Sequence, residues 1–469
     1  MLEKNKEYID VVVDFGSNGE GVIRRDNLVV FVPFSIKGEK IRYKILKVQK
    51  TFAFGKLLEV IEPAPCRVQP KCSVYGKCGG CQLQHVDYAE QLNIKSNAVK
   101  TCFEKIANLS AKMDVSEVSD KQYGYRNKLQ LPVAFQNGKT VIGFYANNSH
   151  RVVEILDCPI NPSWTKTIID VFTRYFNENK IRGYSEEDFS GDVREITVKE
   201  IDGKFIFTVV SLKKELKGID NLIRLLDEHF NDCYSLYINV NKSRSNVIYG
   251  EDFYLVKGDG EYSSKMLGID YQIGVRSFMQ VNSNVCYKLY KKVSEVIGDT
   301  KNSTVIDAYS GAGLMTAILS NKSKKAIGVE IVKEAVDCAN ELAVKNGLTD
   351  KITNYCGKCE EILPDLIKKE KELGNKVSLV LDPPRKGCDY KVIDAIINSD
   401  IDKIVYVSCM PSTLARDVGL LTGTLIMENG EIKKVENPTL RYNLSLVKPF
   451  DMFPQTKHIE TLVVLDRVN

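Results

Sequence analysis

The 469-residue chain contains no run of 18 or more apolar residues, which excludes a membrane-spanning helix. It also lacks an excess of either charge. Its 65 Lys and Arg face 61 Asp and Glu, a net of +4, which rules out a grossly basic nucleic-acid coat but leaves room for a local basic patch. There is no internal repeat and no low-complexity tail. The opening MLEKNKEYID places charges where a secretory signal needs an apolar stretch, so a cytoplasmic location is expected. What the chain does have is apolar content: hydrophobic residues make up 43%, enough for more than one real core. At about 100–200 residues per domain, two to four domains are expected. Thirteen cysteines are present, and in a reducing compartment that number points to metal binding or catalysis for some of them, not to a disulfide frame.

Along the chain, residues 1–62 read as a small β-rich unit. Alternating runs occur at YIDVVVDF, GVIRRDNLVVFVPF and EKIRYKILKVQK, with turns at Gly16–Gly21 and Lys37-Gly38. Between Lys37 and Lys56 seven basic residues stand against one acid, Glu39, a local +6. A short barrel with one basic face is expected, and such a face favours polyanions. Residues 63–86 form a Pro/Gly/Cys-rich loop. Asp87–Asn108 has apolar residues at helical spacing (Leu92, Ile94, Val99, Phe103, Ile106). Residues 113–265 read as a strand-rich α+β region with helices near Pro162–Asn179 and Gly218–Phe230. From about 266 strand and helix alternate, the pattern of a doubly wound α/β sheet.

Val305-Ile306-Asp307-Ala308-Tyr309-Ser310-Gly311-Ala312-Gly313 ends a strand and opens a helix, and its glycines let the backbone approach a ligand closely. Glu330 closes the next strand 19 residues after Gly311, where a carboxylate can accept hydrogen bonds from ribose hydroxyls. A dinucleotide site wants a third glycine where Thr316 stands. Asp307 would repel a pyrophosphate but suits a sulfonium or ammonium cation. S-adenosylmethionine (SAM) therefore fits better than NAD.

Three further groups lie at expected strand ends. Asp382-Pro383-Pro384-Arg385 follows the apolar strand VSLVL, and Arg385 stands where amino-group methyltransferases carry a base-stacking aromatic. Cys409 ends the next strand just before Pro411 and a helix start, where a helix N-terminus is expected to lower its pKa. Glu460, preceded by His458, opens the strand TLVVLDRV and is a candidate general base. Together they fit methylation at carbon 5 of a pyrimidine. A thiolate adding at C6 makes C5 nucleophilic towards a methyl group, a base then removes the C5 proton, and the thiolate leaves.

Cys72, Cys78 and Cys81 share one glycine-rich loop. Their uneven spacing suits an iron–sulfur cluster better than zinc, with Cys158 in LDCPINP or Cys66 as the fourth ligand. Cys356 and Cys359 lack a partner pair and, like Cys286 and Cys388, read as packing residues.

These motifs, in this order, resemble the RNA 5-methyluridine (uracil-C5) methyltransferase family over essentially the whole chain. VFVPFSIKGEKIRYKI looks like part of a TRAM domain, CSVYGKCGGCQLQH like the family's iron–sulfur loop, and YRNKLQ like the start of the central domain. SFMQVN, DAYSGAG, GVE, DPPRKG, SCMPSTLARD and DMFPQTKHIE resemble the catalytic segments. The resemblance implies three domains: an RNA-binding OB-like TRAM β-barrel at 1–62, a central α+β domain with the cluster loop at 63–86 and 113–265, and a Rossmann-like SAM-dependent methyltransferase domain at 87–112 and 266–469. It implies SAM contacts from Gln280, Tyr309, Glu330 and Asp382, a nucleophile at Cys409 and a base at Glu460. A [4Fe-4S] cluster would be held by Cys72, Cys78, Cys81 and Cys158. The TRAM domain and cluster favour 23S ribosomal RNA over tRNA as substrate, with the enzyme acting as a monomer without a protein partner. The other readings are a tRNA enzyme, a TRAM-containing radical-SAM methylthiotransferase, a cytosine-C5 enzyme and a non-catalytic RNA binder. The methylthiotransferase needs Cys-x3-Cys-x2-Cys and the cytosine enzyme its Pro-Cys motif, and neither is present.

Overall fold

In the computed structural model of the protein, the structure describes residues 2–298, 300–399 and 401–468. The chain divides into two compact units. One comprises Met1–Ala98, Lys121–Gly260 and Phe453–Lys457, the other Val99–Asp120, Glu261–Met452 and His458–Asn469. The expected catalytic segment 87–112 is thus divided inside the helix Tyr88–Cys102, after Ala98.

The first unit opens on a six-stranded sheet. Glu7–Val11 pairs antiparallel with Lys40–Val48, and Asp14–Phe15 with Gly21–Arg25, so one N-terminal segment supplies both outer strands. Alternation does the sorting. Ile41, Tyr43 and Ile45 turn inward onto Val30, Val32 and Ala53, while the residues between them turn away. Glu39, the lone acid of the basic stretch, is fully buried. Its carboxylate accepts from the Ile36 N–H (2.8 Å), the Ala64 N–H (3.3 Å) and both arms of the Arg67 guanidinium (Nε 2.5 Å, Nη2 2.8 Å). Lys40 and Arg42 of that stretch pair with Glu62, Glu7 and Glu59 on neighbouring strands. The exposed positive charge is therefore smaller than the count along the chain suggests, and Lys37, Lys47, Lys50 and Lys56 carry it, with Lys44 half-buried.

The same unit holds a seven-stranded sheet in which Lys128–Gln136, Val193–Ile201, Lys204–Ser211 and Tyr234–Val240 lie side by side. Helices Trp164–Asn179 and Ile219–Phe230, close to where helical spacing predicts them, bury Ile168, Phe172, Leu222 and Leu226 against Leu131, Ile196, Phe207 and Leu236. Phe453–Lys457 belongs here through its backbone. The Gln455 carbonyl accepts from the N–H groups of Gln82 (3.2 Å) and Leu83 (3.0 Å), and the Gln455 N–H donates to Gln91 Oε1 (3.0 Å).

The second unit is a doubly wound α/β domain. Its sheet runs Ile352–Cys356, Ser323–Glu330, Thr300–Ala308, Lys376–Leu381, Lys403–Ser408, Glu460–Arg467, Tyr442–Phe450. The first five strands are parallel, Glu460–Arg467 runs against them, and Tyr442–Phe450 pairs antiparallel with Glu460–Arg467 and so runs in the direction of the first five. Central strands such as Lys376–Leu381 and Lys403–Ser408 are covered on both faces, which is why they are almost wholly apolar. Chain order reverses between Thr300–Ala308 and Lys376–Leu381, so their carboxyl ends flank a topological switch point, where open α/β sheets bind ligands. The π turn Phe103–Ala107 adds Phe103 and Ala107 to this unit's core beside Leu414, Val418 and Leu421.

Candidate active site

Topology brings the candidate residues of the second unit to one edge. Tyr309, Asp382 and Cys409 each follow the carboxyl end of a parallel strand, and Glu330 is the last residue of another. Glu460 joins them because its strand is antiparallel: Ser408 pairs with Thr461, so the start of Glu460–Arg467 lies beside the end of Lys403–Ser408.

At the glycine turn, Glu330 is pinned by two backbone donors, Gly311 N–H to Oε2 (3.0 Å) and Val332 N–H to Oε1 (2.9 Å). Tyr309 holds a left-handed backbone (φ 68°), a conformation that costs a bulky residue about 1–3 kcal/mol and is characteristic of functional turns. Its N–H donates to the Val329 carbonyl (2.9 Å) and its ring lies by Cys388 and Cys359. Asp307 is buried, accepts a hydrogen bond from Thr316 Oγ1 (2.6 Å), and is pushed up to about 7 by burial. Thr316, standing where a dinucleotide site has glycine, thus serves the carboxylate. Asp382 is reached by solvent yet ringed by protein, and that enclosure pushes its carboxyl up to about 7 as well.

The reactive end follows. Glu460 is 5% exposed, and burial, reinforced by the negative charge of Asp382 and opposed by Arg385, holds its carboxyl well above the ordinary range. Cys409 is half-buried. Its thiol is pushed up by burial and by the charges of Glu460 and Asp382, while Arg385 pulls it down by charge and by a hydrogen bond to the sulfur. This corrects the expectation of a lowered thiol pKa: two carboxylates and burial outweigh the helix N-terminus and the arginine. Glu330, Asp307, Asp382, Glu460 and Cys409 form one chain of mutually interacting charges. Gln280, half-buried in the irregular segment ahead of helix Ser283–Val296, enters none of these interactions among the described residues, and His458 is half-buried just before Glu460.

Sequence reasoning misses three participants. Arg385 reads there only as an absent aromatic. Cys286, expected as a packing residue, is buried within reach of the charges of Asp382 and Glu460, and Tyr290 one helical turn later faces Cys286, Asp382 and Asp307. Their i, i+4 spacing on a helix was the available signal.

In the first unit, the thiols of Cys72, Cys78, Cys81 and Cys158 act on one another electrostatically, whereas Cys66 sits among Glu90, Asp87 and Glu39. Three of the four sulfurs receive donors: Cys78 from the Gly80 N–H (3.3 Å), Cys81 from the Gln84 side chain, and Cys158 from the Ile160 N–H and Asn161. The loop is anchored by the Gly79 N–H on the Tyr145 carbonyl (3.0 Å) and by the Tyr75 hydroxyl on the Gln82 carbonyl (2.6 Å). Among the described residues, no three His, Cys, Asp or Glu side chains are gathered as a metal-ion site.

Comparison with known proteins gives the wider frame. Residues 87–468 match the tRNA (uracil-5-)-methyltransferase family and residues 7–58 the TRAM domain. An uncharacterized RNA methyltransferase of Clostridium acetobutylicum is 37% identical, covering 100% of this chain and 98% of that one. One from Listeria monocytogenes serotype 4b is 34% identical over 99% of this chain and 98% of its own. Among solved structures, the Pyrococcus abyssi tRNA (uracil-54, C5)-methyltransferase in complex with S-adenosyl-L-homocysteine shares the fold, with a TM-score of 0.74 and 23% identity over 98% of this chain and 100% of that chain. No helix among the described residues is long and apolar enough to cross a membrane. With a family match that spans the whole catalytic sheet and relatives aligned end to end, the chain belongs to the tRNA (uracil-5-)-methyltransferase family, as a SAM-dependent RNA methyltransferase that carries a TRAM domain.

Proposed function

We propose that the protein methylates carbon 5 of a uridine in 23S ribosomal RNA through a covalent Cys409 adduct. The observation that carries this reading is the convergence of a thiol, Cys409, and a buried basic carboxylate, Glu460, at the switch-point edge of the sheet. SAM supplies an electrophilic methyl group when bound. Glu330 would hold its ribose hydroxyls, and Asp307 and Asp382 would offer carboxylates to its cationic end, a donor set that fits a sulfonium nucleoside and not a pyrophosphate.

Cys409 gives up its thiol proton to solvent and adds as the thiolate to uracil C6, the C5–C6 π electrons moving into O4–C4–C5, with Arg385 steadying the thiolate and the enolate-like charge that develops. C5 becomes the nucleophile and gains the methyl group. Glu460 in its ionised form, a stronger base than an ordinary carboxylate because burial disfavours its charge, then takes the C5 proton, and the C5–H electrons re-form the C5–C6 double bond as the Cys409–C6 bond breaks to return the thiolate. Extruding the uridine from its loop costs a few kcal/mol. The exposed Lys37, Lys47, Lys50 and Lys56 of the TRAM domain supply contacts remote from the base that offset it.

Cys72, Cys78, Cys81 and Cys158 fit a [4Fe-4S] cluster. Their sulfurs lie in mutual electrostatic range and receive N–H donors of the kind that ligating thiolates take, and a four-iron cube spreads its ligands wider than a single ion does. When bound, such a cluster would fasten the loop 72–81 to the Cys158 turn.

A tRNA target is the second reading, favoured by the fold shared over 98% of the chain with a tRNA enzyme. RNA carrying 5-fluorouridine at the target tests the chemistry. Fluorine cannot leave as a proton, so a SAM-dependent protein–RNA adduct should accumulate, and an adduct formed by Cys409→Ala would refute the assignment. Mapping of 5-methyluridine in 23S RNA and tRNA from a deletion strain decides the substrate: loss confined to tRNA would exclude the ribosomal reading.

A further inference from the structure

The loop between Asp382 and helix Tyr390–Ile397 carries Arg385, whose side chain is exposed and hydrogen-bonds the Cys409 sulfur. An exposed arginine left to itself samples many rotamers, at a cost of up to about 2 kcal/mol to fix. Its usefulness to a thiolate depends on what holds its backbone.

That backbone is gripped residue by residue from helix Pro411–Thr422, which starts two residues after Cys409. The Thr413 hydroxyl oxygen lies 3.0 Å from the Arg385 carbonyl and 3.2 Å from that of Met410. Arg416 Nη2 donates to the carbonyls of Lys386 (3.0 Å) and Cys388 (3.4 Å). Asp417 Oδ2 accepts from the Cys388 N–H (2.8 Å) and the Tyr406 hydroxyl (2.6 Å), while its Oδ1 accepts from Arg416 Nε (2.8 Å). The Gly387 N–H closes the turn on the Pro384 carbonyl (2.8 Å). The fit is tight: a Cβ at Gly387, whose φ is +80°, would stand 2.5 Å from both Arg416 Nη2 and Asp417 Oδ2. Asp417 is fully buried and Arg416 is 30% exposed at its side chain. A charge pair in that position costs desolvation that a packed apolar pair would avoid, so stability alone is a poor reason for it.

We propose that the Arg416–Asp417 pair is a positioning device that holds the 385–388 loop so that Arg385 stays on the Cys409 sulfur. This inference rests on Cys409 being the nucleophile. Neither Arg416 nor Asp417 touches substrate; they act through Arg385. The helix that carries them is the one the nucleophile's own strand runs into, so thiol and guanidinium are referenced to a single rigid element.

The test reads the thiol directly, without RNA or SAM. Full-length protein is labelled with iodoacetamide across pH, and carbamidomethylation of the Cys409 peptide is followed by mass spectrometry. Arg385→Gln should move the labelling midpoint upward, and a midpoint one pH unit higher means labelling about tenfold slower on the acid side. Arg416→Lys keeps the charge but loses the fork whose Nε holds Asp417 while its Nη2 reaches the two loop carbonyls, and should move the midpoint the same way, as should Asp417→Asn. The double variant Arg385→Gln/Arg416→Lys should shift no further than Arg385→Gln alone. A wild-type midpoint in Arg416→Lys, with Arg385→Gln shifted, overturns the proposal, as does an additive double variant or a midpoint that Arg385→Gln leaves in place. Arg416→Lys decides the matter if Asp417→Asn does not fold, and a lowered melting temperature with the labelling midpoint unmoved counts against the device. Failure of the Cys409 assignment reads out separately, as methylation surviving in Cys409→Ala.

Discussion

Gly313→Ala measures how tightly the SAM turn is built. Gly313 sits at φ +80°, ψ 9° at the start of helix Leu314–Ser320. A left-handed backbone costs an L-residue about 1–2 kcal/mol. An alanine Cβ there would lie 2.6 Å from Ala339 Cβ and 3.1 Å from Ala339 Cα. Neither atom is the end of a flexible side chain, so helix Lys333–Lys345 or the turn must move, an overpacking cost of about 1–3 kcal/mol. Against this, alanine narrows the unfolded ensemble and returns about 0.4–1 kcal/mol. The net expectation is a loss of roughly 1–5 kcal/mol in urea unfolding, with weaker SAM binding, because the same turn presents the Gly311 N–H to Glu330. Gly374→Ala is the control: its φ is +74° with nothing within 4 Å of the added Cβ, so it carries the backbone cost alone. Equal losses in the two variants, or a Gly313→Ala protein with wild-type midpoint and SAM affinity by calorimetry, would refute the steric argument.

Other outcomes follow from the same geometry. Glu39→Ala strips Arg67 of its carboxylate and leaves two backbone N–H groups unpaired; because Arg67 is partly exposed, the loss should fall near the low end of the 3–5 kcal/mol range for broken buried pairs, about 3 kcal/mol in urea melts. Glu460→Gln should transfer the methyl group and then stall, accumulating covalent protein–RNA on denaturing gels; full turnover would remove Glu460 from its role. Anaerobically purified Cys158→Ser should lose iron and brown colour while Cys66→Ser keeps both, and equal iron in the two would reassign the ligand. Asp307 and Asp382, pushed up to about 7, are largely protonated at pH 6 and ionised at pH 8, and a cationic ligand prefers the ionised forms. SAM affinity by calorimetry should therefore rise over that interval with net proton release, and Asp307→Asn should flatten the rise; a pH-independent affinity would contradict the pairing.

How much of this was legible in the sequence depends on how far each feature reaches along the chain. The doubly wound unit was readable because each βα step is local: an apolar strand, a turn with Gly311 and Gly313, a helix. The ends of those strands carried Glu330, Asp382 and Cys409 where a ligand edge requires them. Glu460 was harder, since its place depends on an antiparallel strand inserted beside Lys403–Ser408 from the far end of the chain. The basic patch was overcounted because strand pairing sets Lys40 against Glu62 and Arg42 against Glu7 and Glu59, pairs separated by 17 to 35 residues.

The direction in which the Cys409 thiol moves was not legible at all, and the reason is general. A helix N-terminus acts within one turn and can be read from Pro411, but burial and the charges of Asp382 and Glu460 arrive through space from two other strands. A thiol held high in the resting protein stays protonated and quiet. Among its described neighbours only Arg385 pulls the other way, so the balance between a dormant and an attacking cysteine turns on one guanidinium and on the loop that carries it. On the mechanism proposed above, delivery of the uridine would bring a second change, because the charge that forms on the base would be shared with that same arginine. For the nucleophile proposed at Cys409, set among several acids, activation on substrate binding and not a permanently lowered pKa is thus the economical arrangement.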